Sequence, residues 1–154
     1  MTNLHATCVA FARFGVLIRG PSGSGKSSLA LRLIDAPGYG TGPNSLKAKL
    51  VADDQVLVQR QGLFLSASTP AALSGRLEIR GLGIVILDHR KTVTLHLVVD
   101  LVPVKTIPHM PEVAETRVEL LGVVLPRLYL DAHTADAAAK LRAAVVHLKH
   151  NNNF

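Results

Sequence analysis

Residues Gly20 to Ser27 read GPSGSGKS and meet the pattern G-x-x-x-x-G-K-[ST] at every fixed position: Gly20, Gly25, Lys26 and Ser27. Chemistry explains each residue type. The small residues of the loop (Gly20, Pro21, Ser22, Gly23, Ser24, Gly25) let the backbone curl until several N–H groups point at one anion. A helix starting behind the loop adds its positive end to the same place. The Lys26 side chain reaches the β- and γ-phosphates of a bound nucleotide, and the Ser27 hydroxyl ligates Mg²⁺. The stretch therefore points to a phosphate cradle, and leaves open what is done with the phosphate.

Phosphoryl transfer also needs an acid for the metal or for the nucleophile. Three acidic sites end apolar runs. Asp88 closes IVILD, the usual form of a metal-binding strand end. Asp100 lies inside LVVDL. Asp53 and Asp54 close LVADD. Adjacent acids at a strand end differ from the other two, because one side chain can turn to each face. One then serves the metal and the other the nucleophile; a plain turn pair is the competing reading. LEIRGLGIVIL (Leu77 to Leu87) places Glu78, Arg80, Gly81 and Gly83 just ahead of an apolar strand. Read alone, it is equally a surface Glu and Arg before a bulged, buried strand.

The elements that must hold these residues are mostly strands. CVAFARFGVLIRG predicts a hairpin turning near Arg13-Phe14-Gly15 and running into the loop. Ser27 to Ile34 has helical spacing. APGYGTGPN is a loop. KLVADD (Lys49 to Asp54) is a short strand ending in two acids, and VLVQRQGLFLSAS a hairpin turning at Gln61-Gly62. TPAALSGRLEIRGLGIVIL is a short helical or irregular piece, then a glycine-rich link into strand IVIL. TLHLVVDLV is a buried strand, and Pro103 to Glu115 a loop. RVELLGVVLPRLYL is extended and broken at Pro126. DAHTADAAAKLRAAVVHLKH is a helix with Thr134 as N-cap and Asp136 in its first turn. The expected fold class is α/β with an excess of strand, and one domain over residues 1–150 with a frayed tail at 151–154.

Composition narrows the function classes. At 154 residues, 48% hydrophobic and 18% charged, the chain has the make-up of a soluble globular domain. No apolar run nears the roughly 18 residues of a membrane span. The N-terminus lacks the pattern of a signal peptide, and the expected location is cytoplasmic. A net charge of +6 raises nucleic acid as a partner, but the basic residues are dispersed and only four Phe and two Tyr are present, so base stacking is poorly supplied. Cys8 is the only cysteine, which excludes an internal disulfide and a multi-cysteine zinc site. It reads as a core thiol. The remaining histidines show no metal-ligand spacing.

LVADD following the phosphate loop, then LEIRGLGI, with His5 on the stretch before the loop, resembles the catalytic domain of bacterial HPr kinase/phosphorylase. The resemblance runs from Leu4 to the C-terminal helix. It implies a strand-rich fold related to phosphoenolpyruvate carboxykinase. It implies ATP- and Mg²⁺-dependent phosphorylation of a serine on HPr, the carrier protein of the phosphotransferase system. It also implies the reverse reaction, phosphorolysis by inorganic phosphate giving pyrophosphate. By the same resemblance, Asp54 is the catalytic acid that takes the serine proton and Asp53 its supporting neighbour. Glu78 joins Ser27 as a Mg²⁺ ligand. Arg80, Gly81 and Gly83 lie in the catalytic segment, and His5 stands near the transferred phosphate.

Two departures and two rivals accompany it. Full-length members carry an N-terminal domain, whereas this sequence starts four residues before His5, like the short α-proteobacterial forms. Where the family has a PVRPGRN-type stretch, this chain reads GVVLPRLYL, with Arg127 either in the catalytic role or a structural surface arginine. Members of the family assemble as hexamers. The rival readings are a small-molecule kinase with Asp88 as the metal acid, and a nucleotide sensor without chemistry.

Overall fold

The strands Ala6–Phe11 and Phe14–Arg19 carry apolar residues on both faces, and such strands are stable only in a sheet covered on both sides. The sheet built here meets that demand. The chain, described by a computed structural model over residues 1–151 and 154, runs β1 (Thr2–Leu4), β2 (Ala6–Phe11), β3 (Phe14–Arg19), α1 (Lys26–Asp35), β4 (Lys49–Ala52), β5 (Val56–Gln61), β6 (Phe64–Ser68), β7 (Arg76–Ile79), β8 (Gly83–Ile86), β9 (Thr92–Leu101), β10 (Arg117–Leu120), β11 (Val123–Leu130) and α2 (Ala137–Asn151). One nine-stranded sheet has the order β1-β5-β6-β9-β3-β2-β4, with β11 also paired to β9 and β10 to β11. β7 and β8 form a separate two-stranded hairpin.

On β2 and β3, Val9, Phe11, Val16 and Ile18 face α1 and α2. Cys8, Ala10 and Leu17 face the opposite way, onto Val56, Val58, Leu65 and Ala67 of the β5–β6 hairpin. Burial pushes the Cys8 thiol pKa far up, as expected of a core thiol. α2 also holds the end of α1. Its buried Arg142 donates through Nε to the Leu46 carbonyl (3.1 Å) and through its guanidinium to the carbonyls of Leu33 and Ala36. The last carbonyls of α1 have no partner within the helix, and this arginine satisfies two groups there.

The strand directions place the site. β3 and β11 both run parallel to β9, with Arg19 opposite Asp100 and Tyr129 opposite Asp100. β2 is antiparallel to β3, and β4 antiparallel to β2. The carboxyl ends of β3, β4, β9 and β11 therefore open on one edge, together with the start of β2. Ligands of open α/β sheets bind at such an edge.

β9 changes face midway. Val93 and Leu95 belong to the core layer under the hairpin, whereas Leu97, Val99 and Leu101 belong to the helix layer. The register against β3 slips between Gly15 and Val16, which leaves His96 as the extra residue of a bulge. The His96 ring stacks on Phe14 at 4.8 Å, and its Nδ1 accepts the Gly15 N–H at 3.3 Å. A Cβ at Gly15 would lie 2.3 Å from the Thr94 carbonyl oxygen, so only glycine permits this approach.

Several sequence expectations are corrected. IVIL is not a buried strand: β8 is one arm of an exposed hairpin, with Ile84 and Ile86 56% and 71% exposed. Its partner arm is LEI, expected as a link. β11 is not broken at Pro126. That residue is the last to pair with β10, opposite Arg117, and pairing with β9 begins at Arg127. α2 starts at Ala137, so Asp136 precedes the first turn, and Thr134 lies in the turn that leads in. Of the expected tail, Asn151 closes α2 and the Phe154 ring stacks on His147, 5.8 Å away. Residues 152 and 153 lie outside the described residues.

Burial, with Lys149 nearby, lowers the His96 pKa from its ordinary 6.5. The folded state thus holds this ring neutral where the unfolded chain would protonate it. Its contribution to stability is full above the unfolded value and is lost as pH falls from there through the lowered folded value. Thermal melts of His96→Gln between pH 7.5 and pH 5 should show a shallower loss of Tm than the parent chain. An unchanged slope would refute the assignment.

Candidate active site

The chain leaves β3 at Arg19 and turns immediately, with the Ser24 N–H donating to the Pro21 carbonyl at 3.0 Å. Gly25 precedes α1 with φ of 96°, a left-handed conformation that glycine adopts at low cost. Lys26 opens the helix. Its ammonium donates to the carbonyls of Gly20 (2.7 Å) and Pro21 (3.1 Å), so it lies across the loop. Burial pulls its pKa down, and the charges of Asp53 and Asp54 oppose that. The Ser24 hydroxyl is buried without a partner among the described residues. An orphaned donor and a lysine folded onto its own loop fit a cradle shaped for an anion.

Asp53 ties the loop to the sheet. Its Oδ1 accepts from the Ser27 hydroxyl at 2.7 Å and from the Thr7 hydroxyl at 2.9 Å. Its Oδ2 accepts the Glu78 N–H at 3.3 Å. The residue is only 8% exposed. Asp54, next in the chain, is turned the other way. Its φ is 70°, and the Gln55 N–H bonds back to the Asp53 carbonyl at 2.8 Å, closing a γ-turn with Asp54 at its centre. That turn is strained for a residue with a Cβ. It leaves the Asp54 side chain 70% exposed, with Oδ1 3.0 Å from His5 Nε2. β4 ends at Ala52, so the direction of each acid is set by this turn and not by strand alternation, and both acids line the same cleft.

The β7–β8 hairpin forms the far wall. Leu77 is fully buried and anchors it, while Glu78 and Arg80 project on the exposed side. The cleft between hairpin, loop and sheet edge has a volume of about 690 Å³. His5, Ser22, Gly23, Gly25, Lys26, Ser27, Asp53, Asp54, Glu78, Arg80, Gly81 and Gly83 all line it. Gly20 and Pro21 contribute the carbonyls that hold Lys26.

Two expected acids and one arginine lie elsewhere. Asp88 is 82% exposed and paired with Lys49 at 3.1 Å, which holds its pKa below the usual carboxylate range. Asp100 takes a two-point bond from Arg19 (2.7 and 2.8 Å). Arg127 does not reach the cleft. Its Nη1 is 3.8 Å from Asp100, its Nε donates to the Glu115 carbonyl, and its guanidinium covers the Tyr129 ring at 4.6 Å. The structural reading of Arg127 is the one this chain supports. Sequence reasoning missed Thr7, Leu31 and His133, which also line the cleft. His5 lies in the bend between β1 and β2, so no strand alternation in the sequence relates Thr7 to it.

Among the described residues, no three His, Cys, Asp or Glu side chains gather as a metal cluster, and no helix is long and apolar enough to cross a membrane.

Fold and site together define a strand-rich α/β domain with a phosphate-loop motif at the carboxyl edge of its parallel strands. The sequence model of the HPr Serine kinase C-terminal domain matches residues 1–153, and the chain belongs to that family. An HPr kinase/phosphorylase of Clostridium tetani is 31% identical over 164 residues, covering 99% of this chain and 50% of the relative. One of Aromatoleum aromaticum is 38% identical over 156 residues, covering 93% of this chain and 46% of the relative. The chain thus spans about half the length of these curated relatives. The solved Hpr(Ser) kinase/phosphatase of Coxiella burnetii superposes with a TM-score of 0.78 at 25% identity, over 98% of this chain and 99% of that one.

The strain at Asp54 has a measurable signature. Asp54→Gly should be more stable than Asp54→Ala by about 1 kcal/mol, because only the alanine keeps a Cβ at positive φ. Denaturant titration of the two variants reads the difference. An alanine variant of equal or greater stability would contradict the strained turn.

Proposed function

We propose that the chain is the catalytic unit of a Mg²⁺- and ATP-dependent kinase that phosphorylates a serine of an HPr-like carrier protein. The observation that carries this reading is the division between two neighbouring acids: Asp53 is buried on Ser27, and Asp54 is open to the cleft beside His5. A transfer site needs both, one to organise the metal and one to take the proton of the acceptor hydroxyl.

The loop N–H groups and Lys26 hold the phosphates and neutralise charge spread over the phosphoryl oxygens. Ser27 and Glu78 are the side chains that would hold Mg²⁺, with Asp53 fixing the direction of the Ser27 hydroxyl and of the Glu78 backbone. Mg²⁺ keeps waters and shares its shell with phosphate oxygens, so a hydroxyl and one carboxylate suffice from the protein. The metal, when bound, supplies charge stabilisation to the transferring group. The acceptor serine enters past Arg80 and gives its proton to Asp54, whose carboxylate is oriented by His5 Nε2. In the reverse direction an oxygen of inorganic phosphate attacks the phosphorus of the phosphoserine, the P–O bond to serine breaks as pyrophosphate forms, and Asp54 returns the proton to the departing serine oxygen. The relatives' name, kinase/phosphorylase, supports including this direction.

The small-molecule kinase reading needs Asp88 at the phosphates, and Asp88 stands on Lys49 outside the cleft. The sensor reading leaves the strained Asp54 without a purpose.

With labelled ATP, Mg²⁺ and a purified HPr-like protein, Asp54→Asn should lower serine labelling between about 100-fold and 10,000-fold. ADP binding should persist, and Asp88→Asn should label normally. Undiminished labelling by Asp54→Asn would remove the base assignment. Binding of ATP with no serine labelling by the parent chain would favour the sensor.

A further inference from the structure

We propose that His133 seats the nucleoside end of the bound nucleotide, with its imidazole laid against a purine ring over the first turns of α1. The inference rests on reading residues 20–27 as a nucleotide loop, and adds where the rest of the molecule lies.

The sheet order fixes the direction. β3, which feeds the loop, has β2 on one side and β9 on the other. The acids come from the end of β4, beyond β2. His133 comes from the turn after β11, beyond β9. A phosphate chain lying along the loop with its terminal phosphate at Ser27, Asp53 and Asp54 must extend its nucleoside the opposite way. His133 stands there, and with Ser28 and Leu31 of α1 it lines that part of the cleft. Leu31 offers an apolar surface one turn into the helix, and an imidazole offers a flat ring. Together they suit an aromatic base better than a charged group.

The turn that carries His133 is held in place. Asp131 accepts the His133 N–H through Oδ1 and the Val104 N–H through Oδ2, both at 2.9 Å. Arg32 of α1 donates to the Ala132 carbonyl. A Cβ on Gly25 would meet the Ala132 Cβ at 2.9 Å and His133 Cε1 at 3.5 Å, so the turn packs directly on the phosphate loop. Among the described residues, no hydrogen bond or ring stacking engages the His133 ring. A ring on such a fixed turn contributes to binding with little ordering of its own.

Equilibrium binding of ADP and of pyrophosphate separates the two levels of the reading. His133→Ala should weaken ADP by about tenfold and leave pyrophosphate unchanged, since stacking is lost and the phosphate cradle kept. His133→Phe should restore ADP binding, because it keeps a flat ring without the nitrogens. If the parent chain binds both ligands and His133→Ala binds both equally well, the seat is refuted alone. If His133→Ala weakens ADP and pyrophosphate alike, the residue supports the loop and the seat is again refuted. If the parent chain binds neither ligand, the nucleotide loop itself is refuted, and the seat with it.

Discussion

The Asp53 carboxylate ties three elements together at the edge of the cleft. Through two oxygens it holds the Thr7 hydroxyl of β2, the Ser27 hydroxyl of α1 and the backbone N–H of Glu78 in the β7–β8 hairpin. A buried carboxylate is costly unless its lone pairs are occupied, and three donors occupy them. Loss of any one donor would leave the hairpin or the loop free to shift. The cleft exists in its present shape because this acid is satisfied from three sides.

Its neighbour is placed by the same feature. With Asp53 directed into the cleft, continued strand alternation would send Asp54 to the opposite face, and an unusual backbone turn keeps it in the cleft instead. The γ-turn at φ of 70° does this. Local strain is tolerated because the elements around it are over-determined: β4 sits at the edge of a sheet whose β2 and β3 are packed on both faces. Rigid strands below and a strained, polar edge above are the usual division between scaffold and site.

Much of this was legible in the sequence, for physical reasons. The phosphate loop has a fixed pattern, and apolar runs ending in turn residues marked most strands. LVADD drew notice to Asp53 and Asp54 as an adjacent pair after an apolar run, and both line the cleft. What escaped depended on tertiary pairing. Pro126 was read as a break, since proline cannot donate to a ladder, yet it stands where β11 passes from one partner to the next. IVIL was read as buried, but its hairpin covers the cleft instead of the core. The bulge at His96 leaves no local mark apart from Gly15, eighty-one residues away in the chain. By its place in the order of motifs Arg127 was either the catalytic arginine or a structural one. Its actual partners, Asp100 and Tyr129, are set by the parallel pairing of β9 and β11, which no local pattern announces.

The central claim is that Asp53 organises a metal and nucleotide site between Ser27 and Glu78. Anomalous diffraction from crystals of the chain grown with Mn²⁺ and ADP tests it most directly. The account predicts a peak within bonding distance of the Ser27 hydroxyl and the Glu78 carboxylate, with the β-phosphate in the loop of residues 20–27. A peak at Asp88, or ADP seated away from that loop, would contradict it.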